Sequence, residues 1–212
     1  PKGAYAAIGI RNSFGLAVDP KTGYLWDTEN GPDVYDEINL VKTKFNSGWA
    51  KIQGPSNGKS LPQLPNYEEY EYSEPEFSWE LPVGVTAIEF PNSKNFKKYE
   101  NFVFVADVNN GYIYKFKLDD TRTKFVFESP QLQDNVLNIY KNSPDYLQYV
   151  EDATFASDTG CLVSGYPCSM LEPMDEILFA KNFGVITDMK FGPDGALYVI
   201  SLMEGKIYRI AN

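Results

Sequence analysis

The residues best equipped for chemistry fall within the first fifty positions: Gly9-Ile10-Arg11-Asn12, then Glu29-Asn30-Gly31-Pro32, Asp36-Glu37-Ile38-Asn39 and Gly48-Trp49. A guanidinium meets a carboxylate through parallel, charge-assisted hydrogen bonds. Carboxylates together with main-chain carbonyls form the oxygen-only donor set that Ca2+ takes. The combination suits an anionic ligand held beside a metal ion. The chain has no histidine, so a Ser-His-Asp or Cys-His arrangement has no base. Adjacent acids such as Glu68-Glu69 and Asp119-Asp120 lie in solvated runs and read as exposed turn carboxylates.

These residues must be positioned by strands. A short apolar strand, a Pro/Gly or Asn turn, a second strand with aromatic residues, another turn and a third strand recur three times. The copies are Phe14 to Glu29 with Glu37 to Val41, then Gly84 to Phe90 with Asn101 to Asp107 and Gly111 to Leu118, then Ile186 to Ile200 with Gly205 to Ile210. Strands and turn signals repeating at this interval are the pattern of β-propeller blades. Three units fall short of the roughly four to eight blades of a closed propeller. The expectation is therefore an all-β fold, residues 1–212 forming one partial propeller of about three blades, completed by further blades or another chain. Insertions at about 54–80 and 129–182 interrupt the repeat, and in the second the stretch from Val136 to Tyr149, broken by Pro144, allows at most one or two short helices.

Composition agrees. With 43% hydrophobic and 23% charged residues the chain has an ordinary globular balance. Its 15 Tyr, 14 Phe, 16 Gly and 14 Pro favour strands and turns over helices. A formal charge of −10 argues against nucleic acid or an anionic membrane as partner, since both are met by clustered Lys and Arg. No apolar run approaches the roughly twenty residues that span a bilayer. Cys161 and Cys168 are the two cysteines, in a Gly/Ser/Pro-containing segment able to bend them together. A disulfide between them would mean an oxidising compartment, and two buried free thiols or a metal pair are the alternatives.

The first fifty residues resemble the soluble PQQ-dependent sugar dehydrogenases, the glucose/sorbosone or aldose dehydrogenase family of six-bladed quinoproteins. The string is Gly9-x-Arg11-Asn12, Gly15-Leu16-Ala17, Asp19-Pro20-x-Thr22-Gly23-x-Leu25-Trp26, Thr28-Glu29-x-Gly31-Pro32, Asp36-Glu37-Ile38-Asn39-Leu40 and Asn46-x-Gly48-Trp49. The third repeat, with Asp188 and Phe191-Gly192-Pro193-Asp194-Gly195, resembles the family's last blades, so the chain corresponds to the later half of the propeller. The resemblance implies that Arg11 and Asn12 contact the quinone cofactor and that carbonyls of Gly31 and Pro32 hold the catalytic Ca2+. It also implies that Glu37 and the main-chain carbonyl of Ser47 hold a second Ca2+. Two simpler readings stand beside these: a salt bridge to a neighbouring blade for Arg11, and an exposed turn carboxylate for Glu37.

Two departures bear on activity. Family members carry cofactor-clamping arginines ahead of the Asp of the final-blade motif, whereas this chain has Val185 and Thr187 there, and its three arginines are Arg11, Arg122 and Arg209. The family's general base is a His in the earlier half of the propeller, so no catalytic residue is assigned within this chain. The resemblance implies a PQQ-dependent aldose or glucose dehydrogenase acting on a sugar by hydride transfer to a Ca2+-bound quinone, in an extracytoplasmic location. The alternative is a non-catalytic, calcium-stabilised extracellular propeller that serves binding or assembly. A calcium-dependent lactone hydrolase would share the fold without Gly-x-Arg-Asn. With base and clamp both lacking, the chain alone is expected to leave a redox dye unreduced when given PQQ, Ca2+ and aldoses; appreciable turnover would contradict this.

Overall fold

In the computed structural model, which describes residues 5–56, 69–138 and 172–211, three largely antiparallel sheets stand side by side. The first contains β2 (Ser13–Val18), β3 (Leu25–Glu29), β4 (Asp36–Val41) and β7 (Phe77–Trp79), with β11 (Val136–Leu137) as a parallel edge. The second contains β8 (Val85–Glu89), β9 (Phe102–Asp107), β10 (Ile113–Lys117) and β12 (Leu178–Ala180). The third contains β13 (Ile186–Phe191), β14 (Leu197–Ser201) and β15 (Lys206–Ile210). Three two-residue strands, β1 (Ala7–Ile8), β5 (Phe45–Asn46) and β6 (Glu71–Tyr72), make a small parallel layer.

The three repeats read from the sequence are these three sheets, and the fold is all-β, a run of propeller blades. The insertions do more than connect. Residues 54–80 supply β6 and β7, and β7 pairs with β4 in the first blade. Residues 129–182 supply β11, a short helix α1 (Glu172–Ile177) and β12, which edge the first and second blades. Where the sequence allows a helix to start, Val136 and Leu137 are a strand. The rest of that stretch, and Cys161 and Cys168, lie outside the described residues.

Period-two alternation on β9 explains the stacking. Val103 and Val105 enter one core with Trp26, Ile38, Phe77 and Trp79 of the first blade. Phe104 and Ala106, pointing the other way, enter a second core with Ile186, Met189, Leu197 and Val199 of the third. The middle blade is thus apolar on both faces. Burying each such side chain contributes about 1.5–3 kcal/mol. The inner strands approach closely where side chains are small: a Cβ on Gly15 would stand 2.5 Å from Thr86 O and 2.7 Å from Thr28 Oγ1. Thr86 Oγ1 lies 3.0 Å from Ile186 O and 3.2 Å from Ala106 O, joining β8 to the third blade.

Two buried carboxylates join the first and second blades. Asp19, in the β2–β3 turn, takes Nε of Arg122 at 2.6 Å and Nη2 at 2.9 Å. Burial pushes the Asp19 carboxyl up, but the Arg122 hydrogen bonds, with Lys21 N and Thr22, hold it below its ordinary value. Asp36, at the start of β4, accepts Gly31 N at 3.0 Å on Oδ1, and Val83, Gly84 and Val85 N at 2.8, 2.6 and 3.3 Å on Oδ2. Replacing Asp36 by Ala leaves buried N–H groups without a partner, at a cost of about 2–4 kcal/mol. Thermal unfolding should show Tm lowered by roughly 5–15 °C, and an unchanged Tm would deny Asp36 this role.

Candidate functional site

The pleat of the first blade separates an apolar face from a polar one. Trp26, Thr28, Ile38 and Leu40 face the second blade. Asp27 and Glu29 on β3 stand opposite Asn39 and Glu37 on β4 and share the other face. All four are buried, Asn39 fully and Glu37 to 7% exposure. Glu37 is therefore not an exposed turn carboxylate. The segment after β5 covers it: Ser47 Oγ lies 2.6 Å from Glu29 Oε2 and 3.5 Å from Glu37 Oε2, and Gly54 N donates to Glu37 Oε1 at 2.7 Å.

In so dry a layer burial raises the proton affinity of all three carboxylates, and the charge of Glu29 adds to it at Asp27 and Glu37. Burial, followed by the charge of Glu29, pushes Glu37 up to about 8 and Asp27 up to about 7. Burial also raises Glu29, opposed by hydrogen bonds from Ser47 and from the main-chain N–H of Arg11, and by the charge of the Arg11 guanidinium. Asp27 Oδ1 and Asn39 Oδ1 are buried without a hydrogen-bond partner among the described residues.

At the mouth of this layer lies a shallow cleft, partly open to solvent, whose walls include Arg11, Glu29, Gly31, Pro32, Glu37 and Ser47. The loop from Asn30 to Tyr35 is tightly wound: a Cβ on Gly31 would collide with the carbonyl oxygens of Val34 and Tyr35. Arg11 is held through its side chain: Nη1 donates to Asn30 O at 2.7 Å, and the guanidinium lies 5.3 Å from the centre of the Trp49 ring. Among the described residues it makes no ion pair with another blade. Asn12 accepts Asn30 N through its carbonyl at 3.0 Å and is not among the residues lining the cleft. Val185 and Thr187 are half-buried at the start of the third blade and are likewise absent from it.

The donor set bears on what fits. Oxygen atoms dominate and two buried ones lack partners, which suits a hard cation. No three His, Cys, Asp or Glu side chains among the described residues are grouped to hold a metal by themselves, so a cation here would also need main-chain carbonyls, those of Gly31, Pro32 or Ser47. Arg11 offers donors to an anionic cofactor, and the exposed cleft leaves them accessible. Gly54-Pro55-Ser56-Asn57-Gly58 spells the Gly-x-Ser-x-Gly of hydrolases. Ser56 Oγ is, however, bonded to Glu74 and the chain has no histidine to activate it.

The family model described as Glucose / Sorbosone dehydrogenase matches residues 3–153, and the chain belongs to that family. Aldose sugar dehydrogenase YliI of Escherichia coli strain K12 is 32% identical over 109 residues, which are 49% of this chain and 29% of that protein. Among solved structures, a glucose dehydrogenase aligns with a TM-score of 0.60 at 20% identity, covering 96% of this chain and 46% of its own. The PQQ-bound aldose sugar dehydrogenase of Streptomyces coelicolor aligns with a TM-score of 0.53 at 18% identity, covering 97% and 44%. At these identities the structures speak for the fold. They extend the likeness into the third blade, beyond the family match. The chain spans less than half the length of these relatives.

The sequence reading brought Arg11, Gly31, Pro32, Glu37 and Ser47 to one place without assigning roles to Asp27, Glu29, Asn39 or Trp49. A signal for the first three existed: acids and an amide at alternate positions of two adjacent strands, 27 and 29 against 37 and 39.

The proton affinities set a pH dependence. Asp27 and Glu37 hold protons more tightly folded, at about 7 and about 8, than at their ordinary 3.8 and 4.5. Their contribution is complete below about pH 4 and is lost as pH rises through about 7 to 8. Measured by circular dichroism in chelator, Glu37→Gln should flatten this loss and raise Tm at about pH 8 by roughly 2–6 °C relative to wild type. Parallel Tm profiles for the two proteins would contradict it.

Proposed function

We propose that this chain supplies part of the cofactor and calcium site of a PQQ-dependent sugar dehydrogenase. The observation that carries the reading is the convergence of Arg11 with the carbonyl-bearing Gly31-Pro32 loop and the buried acids Glu29 and Glu37 on one cleft, in a chain of the glucose/sorbosone dehydrogenase family. When bound, the quinone beside Ca2+ accepts hydride from the sugar. Arg11 meets a cofactor carboxylate, and Asn12 assists by fixing the chain that carries it. Main-chain oxygens of Gly31 and Pro32 would hold one Ca2+. Glu37 and the Ser47 carbonyl hold a second, which lowers the proton affinity that burial and Glu29 raise. The general base comes from the remaining part of the propeller.

That remaining part has surfaces to meet. Phe14, Leu16 and Val18 alternate along β2 and are 62%, 61% and 59% exposed, on the face away from the second blade. On the third blade, cross-strand partners Ile200 and Ile207 are 40% and 67% exposed. Further blades, of the same polypeptide or of another chain, would cover both faces. An extracytoplasmic location fits calcium at the concentrations that weaker sites require. Among the described residues no helix is long and apolar enough to cross a membrane. The partners are a sugar or similar small molecule, with no nucleic acid, in keeping with the charge of −10.

A second reading is favoured by Val185 and Thr187, which supply no cation to the cleft: a calcium-stabilised propeller that has lost cofactor binding. Titration with PQQ, followed by absorbance with and without Ca2+, separates the two. For the dehydrogenase, Ca2+ raises Tm, PQQ binds only with Ca2+ present, and Arg11→Ala weakens binding at least about tenfold. Calcium stabilisation without PQQ binding would favour the module and overturn the first reading.

A further inference from the structure

Arg11 shares the cleft with the buried carboxylates Glu29 and Glu37, and its guanidinium pairs directly with neither among the described residues. Its main-chain N–H donates to Glu29 Oε1 at 2.5 Å, so the residue is already beside the acidic layer. A free guanidinium in that position would be drawn onto Glu29 or Glu37, since opposite charges in a partly desolvated cleft attract strongly. The side chain instead turns to Asn30 O at 2.7 Å and lies against the Trp49 ring at 5.3 Å, and it forms no ion pair among the described residues. Of its five N–H donors one is used by Asn30 O. The others remain available at the cleft that Arg11 and Trp49 both line.

Trp49 is built into place. Its main-chain N–H donates to Gly9 O at 2.9 Å, tying it to the segment that carries Arg11. Gly48 before it has φ 97°, and a Cβ there would stand 3.0 Å from Ile52 Cβ and 3.2 Å from the Tyr72 ring. The other two tryptophans, Trp26 and Trp79, are core residues at 0% and 1% exposure, whereas Trp49 is half-buried at the cleft. A tryptophan face is the strongest of the side-chain partners for a cation.

We propose that Trp49 is the positioning residue for Arg11: its indole face holds the guanidinium off Glu29 and Glu37, so that the free N–H groups meet a planar polycarboxylate entering the cleft. The proposal rests on the cofactor reading above for the identity of that anion, and on the geometry of Arg11 alone for the positioning itself.

The test uses Trp49→Leu and Trp49→Phe in the full chain. With Arg11, Arg122 and Arg209 the sole arginines, selective 15N labelling gives three side-chain Nε–H signals. In wild type the Arg11 signal should be displaced upfield by the indole ring. The displacement should vanish in Trp49→Leu and persist in part in Trp49→Phe, with the Arg122 signal, from a buried ion pair, unmoved as evidence of folding. Titrations with PQQ and with benzene-1,3,5-tricarboxylate, a planar anion without redox chemistry, should show affinity roughly three- to thirtyfold weaker in Trp49→Leu, largely restored in Trp49→Phe. An undisplaced Arg11 signal in wild type, or a Trp49→Leu protein that binds both anions as wild type does, overturns the proposal. A wild type that binds the tricarboxylate but not PQQ overturns the cofactor reading and supports the positioning role if Trp49→Leu weakens that binding. A wild type that binds neither anion overturns both.

Discussion

The Asp36 carboxylate is the point on which the rest of the structure turns. One of its oxygens fixes Gly31 in the loop that shapes the cleft, and the other gathers the N–H groups of Val83, Gly84 and Val85 at the head of the second blade's inner strand. The pleat then decides what its neighbour does. Because successive side chains of a strand point to opposite faces, Asp36 locks one blade to the next while Glu37 enters the polar layer behind the cleft. Two adjacent acids thus serve assembly and site, and neither can move in register without disturbing the other.

The polar layer is costly by itself. Asp27, Glu29 and Glu37 are taken out of water together, with burial raising their proton affinities and the charge of Glu29 adding to it at Asp27 and Glu37. A buried charge is tolerated when it is paired or coordinates a metal. Hydrogen bonds from Ser47, Gly54, Asn39 and Arg11 N offset part of the cost, and the partnerless Asp27 Oδ1 and Asn39 Oδ1 mark where the compensation within the described chain stops. The Arg11 charge eases Glu29 without a direct ion pair, its guanidinium bonding to Asn30 O instead.

Much of this is legible in the sequence because strands announce themselves by alternation and turns by Gly, Pro and Asn. The three repeats, their order and the clustering of Arg11, Gly31, Pro32, Glu37 and Ser47 follow from that grammar and from the family string. What escapes it depends on register or on proximity across sequence. That Asp27 and Glu29 share a dry face with Glu37 and Asn39 requires knowing which residues of β3 and β4 stand opposite. The strand at Phe77–Trp79 is short and follows an acidic, aromatic stretch, so it reads as a connection until its pairing with β4 is seen. Carboxylates default to solvent in any reading of composition, and the burial of Glu37 removes the exposed-turn alternative. The contact between Arg11 and Trp49 spans two segments and leaves no local trace.

The Asp19–Arg122 pair has a consequence for how the molecule comes apart. In repeat architectures each unit touches only its neighbours, so the units could melt one at a time. A bidentate ion pair sealed between a turn of the first blade and a hairpin of the second makes separation expensive, because parting the blades strands a charge on each side before water can reach it. The first two blades are thereby bound into one cooperative unit of unfolding, and slow amide exchange should be shared between them. The third blade is joined to the second by neutral hydrogen bonds such as Ser93 Oγ to Gly195 O and by an exposed lysine–glutamate pair.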